Sequence, residues 1–248
     1  MTYCVAMALD AGLVFASDTR TNAGVDHIAT FRKMTVYERP GDRVIVMLTA
    51  GNLAVSQSVV GILNDHARAD NGEPTLLNVP SLFAAARVVG NALREVHDMD
   101  AEHMKQHQAE FNTSILLGGQ IRGEPSRLFN IYAAGNFIEA TPETPYFQSG
   151  EVKYGKPIID RVITHKSSLD EAVKCTLISF DSTIRSNISV GAPIDLLCYV
   201  RDSLRVDYRR SIDADDVYFR DIKRRWSDGL RELFARLPNP TWDGQPPG

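Results

Sequence analysis

Apolar and polar positions change register several times along the chain, and each change marks an element. Tyr3, Val5, Met7 and Leu9 alternate with their neighbours, Asp10-Ala11-Gly12 makes a tight turn, and residues 13–17 return. This pattern predicts a strand over 2–9 paired as a hairpin with the next run. Residues 19–28 are polar and read as a loop. Two further strands are predicted over 31–38 and 43–49, split by the turn Arg39-Pro40-Gly41-Asp42. After Ala50-Gly51-Asn52 the spacing becomes helical. Leu53, Val59, Val60 and Leu63 share one face of a helix to residue 69, and Leu82, Ala85, Val89, Leu93 and Val96 form the stripe of a longer helix over 81–110.

Beyond residue 112 the strand pattern resumes over 113–120, 127–134 and 137–141, and Ser149-Gly150 closes a proline-containing loop. Residues 156–164 read as helix. Ser168-Leu169-Asp170-Glu171 is a capping box opening a helix to 185. Strands over 194–200 and 205–208 precede an amphipathic helix over 215–237. Strands grouped in blocks, with helices between the blocks, predict layered α+β architecture rather than alternating βαβ units. No internal Gly-, Ser- or Pro-rich linker divides the chain, so one domain over 2–237 is expected, with a loose tail over 238–248.

Composition narrows the function classes. The 248 residues carry 44% hydrophobic and 23% charged residues with a net charge of −4, which provides no basic field for nucleic acid. The C-terminal arginines alternate with carboxylates beside Trp226, Leu230, Leu233 and Phe234 and suit a subunit interface better. Three cysteines without metal-ligand spacing read as reduced thiols. The start lacks a signal-peptide pattern, and no apolar run is long enough to span a bilayer, so a cytoplasmic protein without membrane partners is expected. His103 and His107 stand four apart on a predicted helix, but the order is not that of a zinc protease and the sequence supplies no third ligand. Cys4 reads as a buried small hydrophobe.

Candidate chemistry gathers at the first strand. Were Met1 removed, Thr2 would own both a hydroxyl and a free α-amine, and the amine can take the hydroxyl proton as the oxygen attacks a carbonyl. An α-amine has a pKa of about 7.7–8.0, and a neighbouring ammonium lowers it further. Asp18, at the end of the second strand, and Lys33, in Phe31-Arg32-Lys33-Met34, could supply that ammonium and its counter-charge. Read singly, each is an ordinary strand-end charge. Gly51, between a strand and a helix, either serves a tight turn or presents an amide to an oxyanion.

The N-terminal Thr, Ala16-Ser17-Asp18, Arg32-Lys33 and Thr49-Ala50-Gly51-Asn52 together resemble a proteasome β-type subunit of the N-terminal nucleophile hydrolases. The start without a propeptide and the long C-terminal segment bring the chain closest to the bacterial Anbu (ancestral beta subunit) group. The resemblance covers roughly residues 2–200. It implies a four-layer αββα sandwich and a threonine-type peptidase or amidase without cofactor or metal. Within it Thr2 matches the nucleophile, Asp18 the carboxylate paired with the lysine, Lys33 the lysine that tunes the amine, and Gly51 the oxyanion glycine. Ser149 matches a serine hydrogen-bonded near the amine, and Ser189 the serine of the downstream Asp-x-x-Ser-Gly pattern. Two departures stand out: the aspartate of that pattern is Ser186, which weakens the network behind the amine, and the Asp18-to-Lys33 spacing is one residue short. The resemblance further implies a homo-oligomer, as an open ring or helical assembly, acting on a peptide or amide substrate. The sequence carries no signal for or against an ATP-driven unfoldase. Two other functions fit the same residues: an assembled peptide-binding scaffold with little hydrolysis, and a small-amide hydrolase or acyl transferase.

Overall fold

The computed structural model describes residues 2–22, 28–69, 72–107 and 110–240. The chain forms strands β1 (Tyr3–Leu9), β2 (Gly12–Asp18), β3 (Arg20–Asn22), β4 (Ile28–Thr30), β5 (Met34–Arg39) and β6 (Arg43–Gly51), then helices α1 (Leu53–Ala69) and α2 (Leu82–Gln106). Strands β7 (Thr113–Ile121), β8 (Arg127–Ile131), β9 (Phe137–Glu139) and β10 (Tyr146–Gly150) follow, and then helices α3 (Val152–Val162) and α4 (Leu169–Ser186). Strands β11 (Ile194–Val200) and β12 (Tyr208–Ile212) lead into the last helix, α5 (Val217–Arg236).

Two five-stranded antiparallel sheets result. One has the order β10-β1-β2-β11-β12 and the other β5-β6-β7-β8-β9, with β3 and β4 forming a separate two-stranded ribbon. Side-chain alternation then builds three apolar layers. Tyr3, Val5, Met7 and Leu9 face α3, α4 and α5, whereas Cys4 and Ala6 face the other sheet. In β6, Ile45 and Met47 pack under α1 and α2, and Val44, Val46 and Leu48 fill the space between the sheets. The architecture is therefore the expected four-layer αββα sandwich. Strands covered on both faces carry apolar residues at almost every position, which is why β6 reads as a continuous run.

Several boundaries differ from the sequence-based expectation. The segment expected as a loop over 19–28 contains β3 and the start of β4, and residues 23–27 of it lie outside the described residues. The expected loop ending at Ser149-Gly150 ends instead as strand β10, whose pairing with β1 supplies order that its short, polar sequence does not signal. Lys33 precedes its strand rather than beginning it, and β12 starts at Tyr208 rather than at 205. Of the expected tail, residues 241–248 lie outside the described residues.

The first strand is anchored to the helix layer by Tyr3. Its ring lies 4.6 Å from that of Phe180, and its hydroxyl donates to Ser179 Oγ at 3.0 Å and accepts from Gln148 Nε2 at 2.5 Å. Burial raises the phenol far above its ordinary range. A side chain at Gly155 would collide with that hydroxyl, at 2.1 Å from a Cβ, so glycine lets α3 approach the sheet this closely. Helix α4 opens on the expected capping box: Glu171 N–H donates to Ser168 Oγ at 3.2 Å, and Ser168 N–H donates to Glu171 Oε2 at 2.8 Å.

Two substitutions separate core packing from capping. Phe15 is fully buried between the sheets, so Phe15→Ala is expected to lower unfolding free energy by ~3–5 kcal/mol. Ser168→Ala is expected to cost about 1 kcal/mol, because it removes one exposed cap and no packing. Urea denaturation of both variants checks the order; equal losses would contradict this account of the core.

Candidate active site

The end of the first hairpin sets the site. Strands β1 and β2 pair with Cys4 opposite Ser17, which brings Tyr3 beside Asp18. Asp18 is fully buried, and one of its oxygens, Oδ1, accepts from Tyr3 N–H at 3.0 Å and from Lys33 Nζ at 2.7 Å. Lys33 is itself 5% exposed and also donates to the carbonyl of Arg20 at 2.6 Å. The lysine is held from behind as well, since Thr49 N–H donates to the Lys33 carbonyl at 2.9 Å. One carboxylate oxygen thus joins the backbone just after Thr2 to the ammonium.

Burial pushes the Asp18 carboxyl above the usual carboxylate range. The Lys33 ammonium, the Tyr3 amide and the Gly191 amide offset part of that desolvation. The second oxygen, Oδ2, is buried and makes no hydrogen bond among the described residues.

Thr2 is 8% exposed and is fixed from the opposite side by β10. Its carbonyl accepts from Glu151 N–H at 2.8 Å. Gly150 has φ +82°, and a Cβ there would lie 1.8 Å from that carbonyl, so only glycine permits the approach. Ser149 is buried and stands opposite Cys4 in the ladder. Cys4 in turn faces Thr49, with Sγ 3.6 Å from its carbonyl, and burial raises its thiol far above the ordinary range. A cysteine in that state is no nucleophile.

Gly51 is the last residue of β6, is exposed, and has φ +106°. A Cβ there would strike the Asn112 carbonyl at 2.0 Å. The helix cap is the next residue, since Asn52 Oδ1 accepts from Ala54 N–H at 3.0 Å. Gly51 therefore lies just before the cap, at the end of β6.

The downstream loop is placed differently from the rest. Ser189 is partly buried in the turn between α4 and β11, and its amide donates to Asn187 Oδ1 at 2.9 Å. Ser186, at the position where the proteasome pattern has aspartate, is exposed at the end of α4. Arg20 braces this loop by donating to the Ile188 carbonyl at 2.8 Å, and a Cβ on Gly191 would meet its guanidinium carbon at 2.3 Å. The tertiary structure thus joins the Tyr3 amide, Asp18 and Lys33, with Ser149 on the strand beside β1, Gly51 at the end of β6 and Ser189 on the loop between α4 and β11.

Sequence reasoning missed Arg20, Tyr3 and Gly150 as site-building residues. Two of them act through backbone groups, which no side-chain pattern reports; the glycine carried the only available signal, as a Ser-Gly pair. His103 and His107 are exposed at the end of α2, and the described residues include no group of three or more potential metal ligands. No helix among the described residues is long and apolar enough to cross a membrane.

No family model matches the chain, and no curated protein matches it. Solved structures do. The Anbu (Gly-1) mutant from Hyphomicrobium sp. strain MC1 is 51% identical over 98% of this chain and 100% of its own, with a TM-score of 0.92. Anbu (ancestral beta-subunit) from Yersinia bercovieri is 51% identical over 96% of this chain and 99% of its own, with a TM-score of 0.90. The Anbu complex from Pseudomonas aeruginosa, solved as a helical assembly, is 51% identical over 98% of this chain and 100% of its own, with a TM-score of 0.92. Half-identity across nearly the whole length, on the same fold, places this chain in the Anbu family of proteasome-β-like proteins.

Proposed function

We propose that the protein is an N-terminal threonine peptidase or amidase that works as a homo-oligomer in the cytoplasm. The observation that carries the reading is the shared oxygen of Asp18, which accepts from the backbone beside Thr2 and from the Lys33 ammonium at 3.0 and 2.7 Å. A lysine held there disfavours a second positive charge nearby, so the α-amine of Thr2, once Met1 is gone, is pushed toward its neutral form. The three cysteines are free and buried, which suits a reducing compartment.

The reaction follows from the amine and hydroxyl of one residue. Thr2 Oγ attacks the amide carbonyl carbon while its proton passes to the Thr2 α-amine. The charge that develops on the carbonyl oxygen is met by the Gly51 amide. The carbon–nitrogen bond breaks, the leaving amine takes the proton back from the Thr2 nitrogen, and an ester on Thr2 remains. Water, deprotonated by the same amine, hydrolyses that ester. In this reading Ser149 orients the amine, and Ser189 orders the loop behind it. The reading rests on the removal of Met1, because only then is the Thr2 nitrogen a free amine.

A second reading is favoured by one feature. The exposed Ser186 leaves the position of the family carboxylate without a charge, which suits an assembled peptide-binding scaffold with little turnover. A small-amide substrate is also compatible with the same nucleophile.

Intact mass of the purified protein is expected to lack one methionine, and a β-lactone is expected to add a single adduct on Thr2. Thr2→Ala is expected to abolish hydrolysis, a loss of at least ~10³-fold, while fold and assembly persist. Retained Met1, an unlabelled Thr2, or equal turnover by variant and wild type would remove the enzyme reading and favour the scaffold. Peptides and small acyl amides assayed side by side separate the substrate classes.

A stability profile tests the electrostatics. Because the native Asp18 carboxyl titrates above its unfolded value of about 3.9, the native state binds more protons than the unfolded state in the window above that value. The contribution of Asp18 is therefore full below about pH 3.9 and declines as pH rises through the raised native value. Wild type is expected to lose stability relative to Asp18→Asn/Lys33→Met across that window, read by chemical denaturation at stepped pH. A wild-type curve that gains on the double variant instead would mean that Lys33 outweighs burial.

A further inference from the structure

The last helix leaves the body of the protein halfway along. Its first half is anchored by Phe219 and Ile222, both buried, with Trp226 packed against the same core. From residue 229 onward every residue of α5 is exposed, and a Cβ added at Gly229 would meet nothing within 4 Å. This free half is not polar. Leu230, Leu233, Phe234 and Leu237 recur at helical spacing and are 47%, 57%, 78% and 57% exposed. An apolar stripe of this kind on a projecting arm marks an interaction surface.

A cavity of matching character lies at the other end of the same helix. It has a volume of about 470 Å³ and is lined mainly by Val173, Cys198, Val200, Tyr208 and Tyr218, with Asp207 paired to Arg205 beside them. Asp170 also lines it and is exposed, and it forms no ion pair among the described residues. The arm presents Arg236 two residues from Phe234, held only loosely by Glu232 at 3.8 Å. Apolar ring meets apolar cavity, and free carboxylate meets weakly engaged guanidinium. The arm cannot reach the cavity of its own chain. Tyr218 and Phe234 sit on one continuous helix, about 24 Å apart at about 1.5 Å per residue.

We infer that the free half of α5 from one copy docks into the α4–β11–β12 cavity of a second copy, with Phe234 seated over Cys198 and Arg236 beside Asp170. The inference rests on the homo-oligomer proposed above and supplies its contact. Arm and cavity are different surfaces of the chain. The contact therefore propagates when repeated head to tail and closes at two when it is exchanged reciprocally. A relative at 51% identity, the Pseudomonas aeruginosa Anbu complex, forms a helical assembly, which requires at least one propagating contact.

The test uses the full chain and mass measurement across a concentration series. Wild type is expected to assemble, while Phe234→Glu and Val200→Arg each cut the assembled fraction at least tenfold without changing the circular dichroism of the monomer. Under mild oxidation in a Cys198→Ser background, Phe234→Cys mixed with Tyr218→Cys is expected to give a disulfide-linked pair that neither variant gives alone; Cys4 and Cys175 are buried away from the cavity and do not compete. A wild type that stays monomeric would overturn the homo-oligomer and this contact together. Wild type and both charged variants assembling alike would overturn only the contact. Phe234→Glu dissociating while Val200→Arg assembles, with no mixed disulfide, would also overturn it, because the arm would then dock elsewhere.

Discussion

One buried carboxylate organises the region where chemistry is expected. Asp18 has no solvent contact, and its Oδ1 is shared between the amide of Tyr3 and the ammonium of Lys33. A charge so placed is costly unless it is paired and hydrogen-bonded. Lys33 therefore stays near the tip of β1, while the Arg20 carbonyl takes a second of its protons. Removing either partner would leave the other buried and unpaired, which is expensive enough to make the pair a constraint on everything around it.

The rest of the sandwich serves that constraint by fixing the tip of β1 from three sides. The Tyr3 hydroxyl locks the strand to α4 through Ser179, Gly150 admits the Thr2 carbonyl, and Glu151 donates to it. None of these contacts is long or adaptable. Close approaches at Gly150, to the Thr2 carbonyl, and at Gly155, to the Tyr3 hydroxyl, leave no room for a side chain, so the tip of β1 is set by sterics as much as by hydrogen bonds. The proposed nucleophile, which would work with its own amine, needs such rigidity, because a chain end otherwise frays.

Much of this was legible along the chain. The hairpin of β1 and β2, the capping box of α4 and the stripe of α2 follow from local spacing alone, and each stands within a few residues of the expected bounds. Strand β10 was not legible. Tyr146-Phe147-Gln148-Ser149-Gly150 mixes polar and apolar residues after a proline, and only its pairing with β1 makes it a strand. The ribbon of β3 and β4 was hidden for the same reason.

Sequence by itself determined most of the element types, the layered α+β class and the residues able to do chemistry, because periodicity and side-chain identity are local properties. It also marked the departure at Ser186. Tertiary structure decided what those residues do to one another. It joined Asp18 and Lys33 through a single oxygen, turned Ser186 outward, placed Gly51 ahead of the helix cap rather than on it, and left half of α5 without cover. Each of those outcomes depends on segments distant in sequence meeting in space, where burial and close packing, rather than local preference, fix which contacts a residue makes.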